Sequence, residues 1–85
     1  MKPVTIYTTP FCPYCIMAKR LLARKGAAFE EIDVGGDWEA REALTEKSGG
    51  RRTVPQIWIG DTHVGGSDDL HALERDGRLD ALLAD

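Results

Sequence analysis

The chain is expected to fold as an α/β domain, a four-stranded mixed β-sheet flanked by helices in the order βαβαββα. Three observations predict this. Four short runs rich in β-branched and aromatic residues read as strands. The stretches between them carry helical apolar spacing and helix caps. The first two strands are joined through a helix and the last two through a glycine turn, so the sheet mixes parallel with antiparallel pairing. With 85 residues there is room for a single domain, residues 1–85.

Val4-Thr5-Ile6-Tyr7-Thr8 is the first strand, broken by Thr9-Pro10-Phe11. From Pro13 the pattern turns helical, with Ile16, Met17, Leu21 and Leu22 as its apolar positions and Gly26 as a C′ cap. Phe29 to Val34 is the second strand, parallel to the first through a right-handed crossover. Gly35-Gly36 turns the chain, and Asp37 is a suitable N-cap for a second helix reaching about Ser48. Gln56–Ile59 and Thr62–Val64 pair as a hairpin across Gly60-Asp61. Ser67 or Asp68 is a suitable cap for a third helix through Arg75, and Gly77 separates it from a last helical turn, Leu79–Leu83. This order of elements is the thioredoxin-like architecture, which by itself carries no function.

The formal net charge of −3 argues against a nucleic-acid binder, whose surface would be strongly basic. No run is long and apolar enough to cross a membrane, and Lys2-Pro3 leads straight into a strand without a signal-peptide pattern. The expected location is therefore the cytoplasm, where a lone cysteine pair rarely serves as a structural disulfide. Lys19, Arg20, Arg24 and Lys25 cluster after the cysteines. They read either as a solvated helix face or as a field favouring a nearby thiolate or anionic ligand.

Cys12-Pro13-Tyr14-Cys15 is the centre of the functional case. A C-x-x-C after a strand and at the start of a helix, in a βαβ setting, reads as a redox motif. Cys12 takes the N-cap position and Pro13 the N1 position, where a missing N–H costs nothing. Unpaired backbone N–H groups and the positive end of the helix dipole then face the Cys12 sulfur and favour its thiolate. Cys15, one turn on, can close a disulfide with Cys12 and is expected to be less exposed, which suits a resolving thiol. A zinc site is the competing reading. It needs about four ligands, and His63 and His71 fall in separate elements at the wrong spacing. Trp38, Trp58 and Met17 read as packing residues, and His63 and His71 as surface or structural ones.

Two further segments allow more than one reading. Pro55 in Thr53-Val54-Pro55 either merely starts the third strand or follows a cis bond that turns the Val54 N–H and C=O toward the sulfur. Gly65-Gly66 before Ser67-Asp68 is either a turn with an ordinary cap or a close-approach site. In the second case the following helix start offers N–H groups to an anion.

Taken together, Tyr7-Thr8-Thr9-Pro10-Phe11-Cys12-Pro13-Tyr14-Cys15, Thr53-Val54-Pro55 and Gly65-Gly66-Ser67-Asp68-Asp69 resemble the glutaredoxin family, in its dithiol class and its short bacterial-type members. The resemblance implies a glutathione-dependent thiol–disulfide oxidoreductase of cell redox homeostasis and electron transport. It would reduce protein–glutathione mixed disulfides and protein disulfides, with Cys12 and Cys15 catalytic, glutathione as co-substrate and no metal. It implies a glutathione-binding set of Tyr14, Arg41, Thr53, Val54, Pro55, Gly66, Ser67 and Asp68. In that set Val54–Pro55 is cis, Ser67-Asp68 holds the γ-glutamyl group, and Arg41 holds the glycyl carboxylate. Arg51 and Arg52 are further candidates for the same anion, and surface arginine is the plain alternative for Arg41. The implied partners are glutathione and glutathionylated or disulfide-containing proteins, ribonucleotide reductase among them, met by a monomer. Thr9 stands where many relatives carry lysine, which removes one source of thiolate stabilisation.

Two alternatives share these motifs. A redoxin reduced by thioredoxin reductase would lack the glutathione groove, against which the Thr53-Val54-Pro55 and Gly65–Asp69 segments argue. A dimer sharing an iron–sulfur cluster on Cys12 and glutathione is the other; relatives of that kind usually lack proline after the first cysteine, and Pro13 is present.

Overall fold

The computed structural model describes all residues, Met1–Asp85. The elements are β1 (Val4–Thr8), α1 (Pro13–Arg24), β2 (Phe29–Asp33), α2 (Trp38–Lys47), β3 (Gln56–Ile59), β4 (Thr62–Gly65), α3 (Ser67–Arg75) and α4 (Leu79–Leu83). The sheet order is β2-β1-β3-β4. β1 runs parallel to β2, and β3 runs antiparallel to both β1 and β4. The expected thioredoxin-like α/β architecture is therefore present.

The sheet separates two cores, as strand alternation requires. On one face Val4, Ile6, Ile57 and Ile59 meet Ala18, Leu21 and Leu22 of α1, Leu70 of α3, and Leu79 and Leu83 of α4. On the other, Trp58 meets Val34 and Leu44, with Tyr7, Ile32, Ala40 and Val54 around them. Each fully buried Leu or Ile there stabilises the fold by about 1.5–3 kcal/mol. The sandwiching of β1 and β3 between these layers holds the C-terminal end of β1, and so the start of α1, in place.

Four expectations are corrected. The buried residues of α1 are Cys15, Ala18, Leu21 and Leu22. Ile16 and Met17 are 44% and 48% exposed, because about 100° of rotation per residue carries them away from that row. Trp38 is 75% exposed at the first position of α2 rather than packed. The N-cap of α3 is Gly66, not Ser67 or Asp68, and its N–H is held by the Asp69 carboxylate at 2.9 Å. β2 ends at Asp33, although Val34 still donates its N–H to the Thr8 carbonyl at 2.8 Å. No helix is long and apolar enough to cross a membrane.

Candidate active site

β1 delivers the chain to the site and α1 carries it away. Between them Phe11 adopts a left-handed backbone with φ of 60°, the one non-glycine residue to do so. This is uncommon for an aromatic residue, and the Phe11 side chain stands wholly in solvent. The β2–α2 loop closes against the same turn, since a Cβ at Gly35 would lie 2.5 Å from Pro10 Cδ.

Cys12 is the N-cap of α1 in extended geometry, and the Cys15 N–H donates to its sulfur at 3.2 Å. The sulfur therefore occupies the place where a capping oxygen ordinarily accepts an orphan helix N–H. Both cysteines are unbonded, Cys12 half-buried and Cys15 buried. Burial, and then the hydrogen bond to the Cys12 sulfur, push the Cys15 thiol up to about 12. The pair is thus asymmetric, with a partly accessible sulfur at the helix start and a buried thiol that keeps its proton.

The Val54–Pro55 peptide is cis, and the Val54 carbonyl oxygen lies 3.9 Å from the Cys12 sulfur. Beside it opens a groove of about 410 Å³, lined by Tyr14, Thr53, Val54, Pro55, Gly66, Ser67 and Asp68, with Arg51 as its remaining wall. The structure thus gathers α1, the segment before β3 and the start of α3 around one concavity. Arg41 is not in it. That side chain lines a neighbouring depression of about 340 Å³ with Trp38, Glu42, Thr45 and Arg52, and donates to the Arg52 carbonyl at 3.0 Å.

The α3 end of the groove suits an anion. The first N–H groups of the helix, at Ser67 and Asp68, have no intrahelical acceptor, and the helix dipole adds positive potential. Asp69 fixes this end. Its carboxylate accepts from Gly66 N–H at 2.9 Å and from Arg51 Nη2 at 3.2 Å. The Gly66 bond first, and then Arg51, hold its pKa below the usual carboxylate range. Gly65 has φ of 111°, and a Cβ there would run into the Asp69 carboxylate and lie 3.1 Å from Arg51. Asp69 was legible only as part of a motif, and its partnership with Arg51, 18 positions away, had no sequence signal.

A polar relay on the α2 face of the sheet supports the Thr53 segment. Gln56 is fully buried in β3. Its amide nitrogen donates to Thr53 O at 3.1 Å and to Thr53 Oγ1 at 3.3 Å. Its oxygen lies 2.7 Å from His63 Nε2, so that nitrogen carries the proton. A register shift between Ile57 and Trp58 lets β4 aim His63 back at Gln56, with its ring stacked on Trp58 at 4.5 Å. Burial and the Arg51 charge lower the His63 pKa. A polar residue in the run Gln56-Ile57-Trp58-Ile59 was the one available hint of this relay. No group of three or more His, Cys, Asp or Glu side chains comes together.

Comparison with known proteins agrees with this geometry. The glutaredoxin family model matches residues 4–64. The chain is 66% identical over 84 residues to a glutaredoxin of Pseudomonas aeruginosa, with 99% of each chain covered. It matches the solution structure of glutaredoxin from Brucella melitensis with a TM-score of 0.86 and 60% identity, over 98% of this chain and 89% of that one. It also matches the crystal structure of a buckwheat glutaredoxin–glutathione complex with a TM-score of 0.86 and 34% identity, over 96% of this chain and 76% of that one.

Proposed function

Because the chain belongs to the glutaredoxin family, and is a thiol–disulfide oxidoreductase, we propose that it works through Cys12 as nucleophile, Cys15 as resolving thiol and glutathione as reductant. The observation that carries this reading is the placement of the Cys12 sulfur, capped by the Cys15 N–H at 3.2 Å and lying 3.9 Å from Val54 O at the edge of the groove. A glutathione complex of a buckwheat relative supports the choice of tripeptide.

Binding follows the chemistry of the walls. The γ-glutamyl carboxylate takes the N–H groups of Ser67 and Asp68, and the Asp68 carboxylate takes the ammonium group. The cysteinyl unit lies along Thr53-Val54-Pro55, where the Val54 backbone pairs with it as an added strand would. Tyr14 borders the chain. The glycyl carboxylate turns to Arg51, which lines the groove, with Arg41 and Arg52 in the adjoining depression for longer reach.

Exchange then runs through mixed disulfides. The Cys12 thiolate attacks the glutathione sulfur of a protein–glutathione disulfide. The Cys12–glutathione bond forms, the protein–glutathione bond breaks, and the protein thiolate leaves and takes a proton from water. A second glutathione thiolate attacks the glutathione sulfur on Cys12, releasing glutathione disulfide and restoring the Cys12 thiolate. With a protein disulfide, Cys12 forms the mixed disulfide and Cys15, losing its proton, attacks the Cys12 sulfur to release the second protein thiol. Two glutathiones reduce the resulting Cys12–Cys15 bond. Burial raises the Cys15 pKa most, and engagement of Cys12 removes only the hydrogen bond and charge by which its sulfur raises it further. The protein acts as a cytoplasmic monomer in this reading, and ribonucleotide reductase is one candidate electron acceptor.

The test is glutathione-dependent reduction of hydroxyethyl disulfide and of a glutathionylated peptide. Cys12→Ser is expected to lose both activities. Cys15→Ser is expected to keep both and lose only the reduction of protein disulfides. Activity surviving in Cys12→Ser would overturn the proposal.

A further inference from the structure

The four cations that follow the cysteine pair are divided by the structure into two kinds. Lys19 Nζ lies 3.0 Å from Glu31, and Lys25 Nζ lies 2.6 Å from Glu74 and 3.1 Å from Asp80. Arg20 and Arg24 are exposed and have no carboxylate partner. At about 100° per residue, Pro13, Ile16, Met17, Arg20 and Arg24 fall within one wedge of the helix surface. Cys15, Ala18, Leu21 and Leu22 point the opposite way into the core.

This wedge begins at Pro13, the residue after the reactive Cys12. Its near part is apolar: Pro13, then Ile16 and Met17 at 44% and 48% exposed, with the fully exposed Phe11 just before the helix. Its far part is cationic. Arg20 and Arg24 lie about 12 and 18 Å beyond Cys12 at the rise of an α-helix. An extended chain covers that distance in about four to six residues. The stripe is positive on a chain whose net charge is −3, so it selects an acidic partner against the rest of the surface.

We propose that this α1 stripe docks the protein half of the substrate, a segment with apolar residues beside its reactive cysteine and acidic side chains about four to six residues away. The proposal rests on the glutathione reading above and adds a surface to it. Glutathione occupies the groove between Tyr14 and Asp68, which leaves the outer face of α1 to the other side of the disulfide. Apolar contact near the sulfur supplies affinity, and the two arginines supply selectivity.

Two glutathionylated synthetic peptides of equal length test this. Each carries leucine on both sides of the cysteine. One has paired glutamates about five residues away on both sides, and the other has paired lysines there. Release of glutathione is followed with the wild-type protein, Arg20→Glu/Arg24→Glu and Ile16→Ser/Met17→Ser, with hydroxyethyl disulfide as a substrate that has no flanking chain. The wild type is expected to prefer the glutamate peptide by about 3–10-fold in kcat/KM at low salt, a preference that fades at high salt. Arg20→Glu/Arg24→Glu reverses the preference. Ile16→Ser/Met17→Ser slows both peptides. All three proteins reduce hydroxyethyl disulfide equally. Equal wild-type rates on the two peptides, or an unchanged preference in the charge-reversed variant, overturn the docking proposal and leave the glutathione reading intact. A stripe-mediated dimer in sedimentation, abolished by Ile16→Ser/Met17→Ser, also overturns it. Loss of all three activities in the wild type overturns the glutathione reading and the docking with it.

Discussion

The backbone N–H of Cys15 points at the sulfur of Cys12 from 3.2 Å, while the Cys15 thiol is itself buried. One turn of helix thus gives two chemically identical side chains opposite environments. The first sulfur sits in the cap position, and the second is desolvated with its proton retained.

A pH dependence follows from Cys15. Its folded value is about 12, above that of an unfolded thiol. Above the ordinary thiol range, unfolded Cys15 gives up its proton and folded Cys15 keeps it. The native state then binds more protons, and stability falls as pH rises. The contribution is complete below the ordinary thiol value and is lost as pH climbs through about 12. Urea unfolding of the reduced protein between about pH 8 and pH 11 is expected to show a downward slope that Cys15→Ser lessens. Identical slopes in the two proteins would refute it.

Asp69 ties the groove to the start of α3. Asp69→Ala removes the acceptor for Gly66 N–H and the partner of Arg51, at a cost of about 0.5–2 kcal/mol by analogy with lost caps. A lower Tm and a raised KM for glutathione are expected. Because the Asp69 pKa is depressed, this stabilisation is present above the usual carboxylate range and is lost as pH falls through the lowered value. Acid unfolding of the wild type and Asp69→Ala should therefore converge at low pH.

Gly65 allows no side chain. Gly65→Ala places a methyl group against the Asp69 carboxylate and Arg51, on a backbone with φ of 111°. Strain of about 1–3 kcal/mol is expected, with a reduced urea midpoint and weaker glutathione binding by calorimetry. Gly36→Ala, at φ of 76° with nothing near its added Cβ, isolates the backbone part of the cost.

Gln56 holds Thr53 by two hydrogen bonds from a fully buried position. Gln56→Leu keeps the apolar fit of β3 but leaves the Thr53 oxygens without their donor, a loss of about 1–3 kcal/mol wherever they stay dry. The KM for glutathione is expected to rise with little change in kcat. His63→Ala, which removes only the far end of the relay, is expected to have a smaller effect on KM. An unchanged KM in Gln56→Leu would show that Thr53 is held by the backbone alone.

Local chemistry made much of this protein legible from its sequence. Strand runs, the Asp37 cap, the Gly26 stop and the Gly60-Asp61 turn each act over a few residues, and each lies where its residue types predict, apart from the ends of β2 and β4, at Asp33 and Gly65. The C-x-x-C at a helix start belongs to the same class, because the cap position of Cys12 is decided by its immediate neighbours. The Tyr14, Thr53-Val54-Pro55 and Gly66-Ser67-Asp68 segments were legible as motifs, and their meeting in one groove only as an implication of the family resemblance, since three separate elements build it.

What the tertiary structure alone decided are relationships across the chain. The burial phase of α1 was set by the fit of Ala18, Leu21 and Leu22 against the sheet, which left Ile16 and Met17 outside. Arg51, rather than Arg41, reached the groove because the chain before β3 passes beside Asp69. The bond between Gln56 and His63 needed a shifted register between β3 and β4. The sorting of four adjacent cations into paired lysines and unpaired arginines depended on where β2, α3 and α4 placed their carboxylates. A sequence determines the preferences of a backbone segment, because those forces act between near neighbours. Which side chains face one another across a sheet or groove depends on packing of the whole chain.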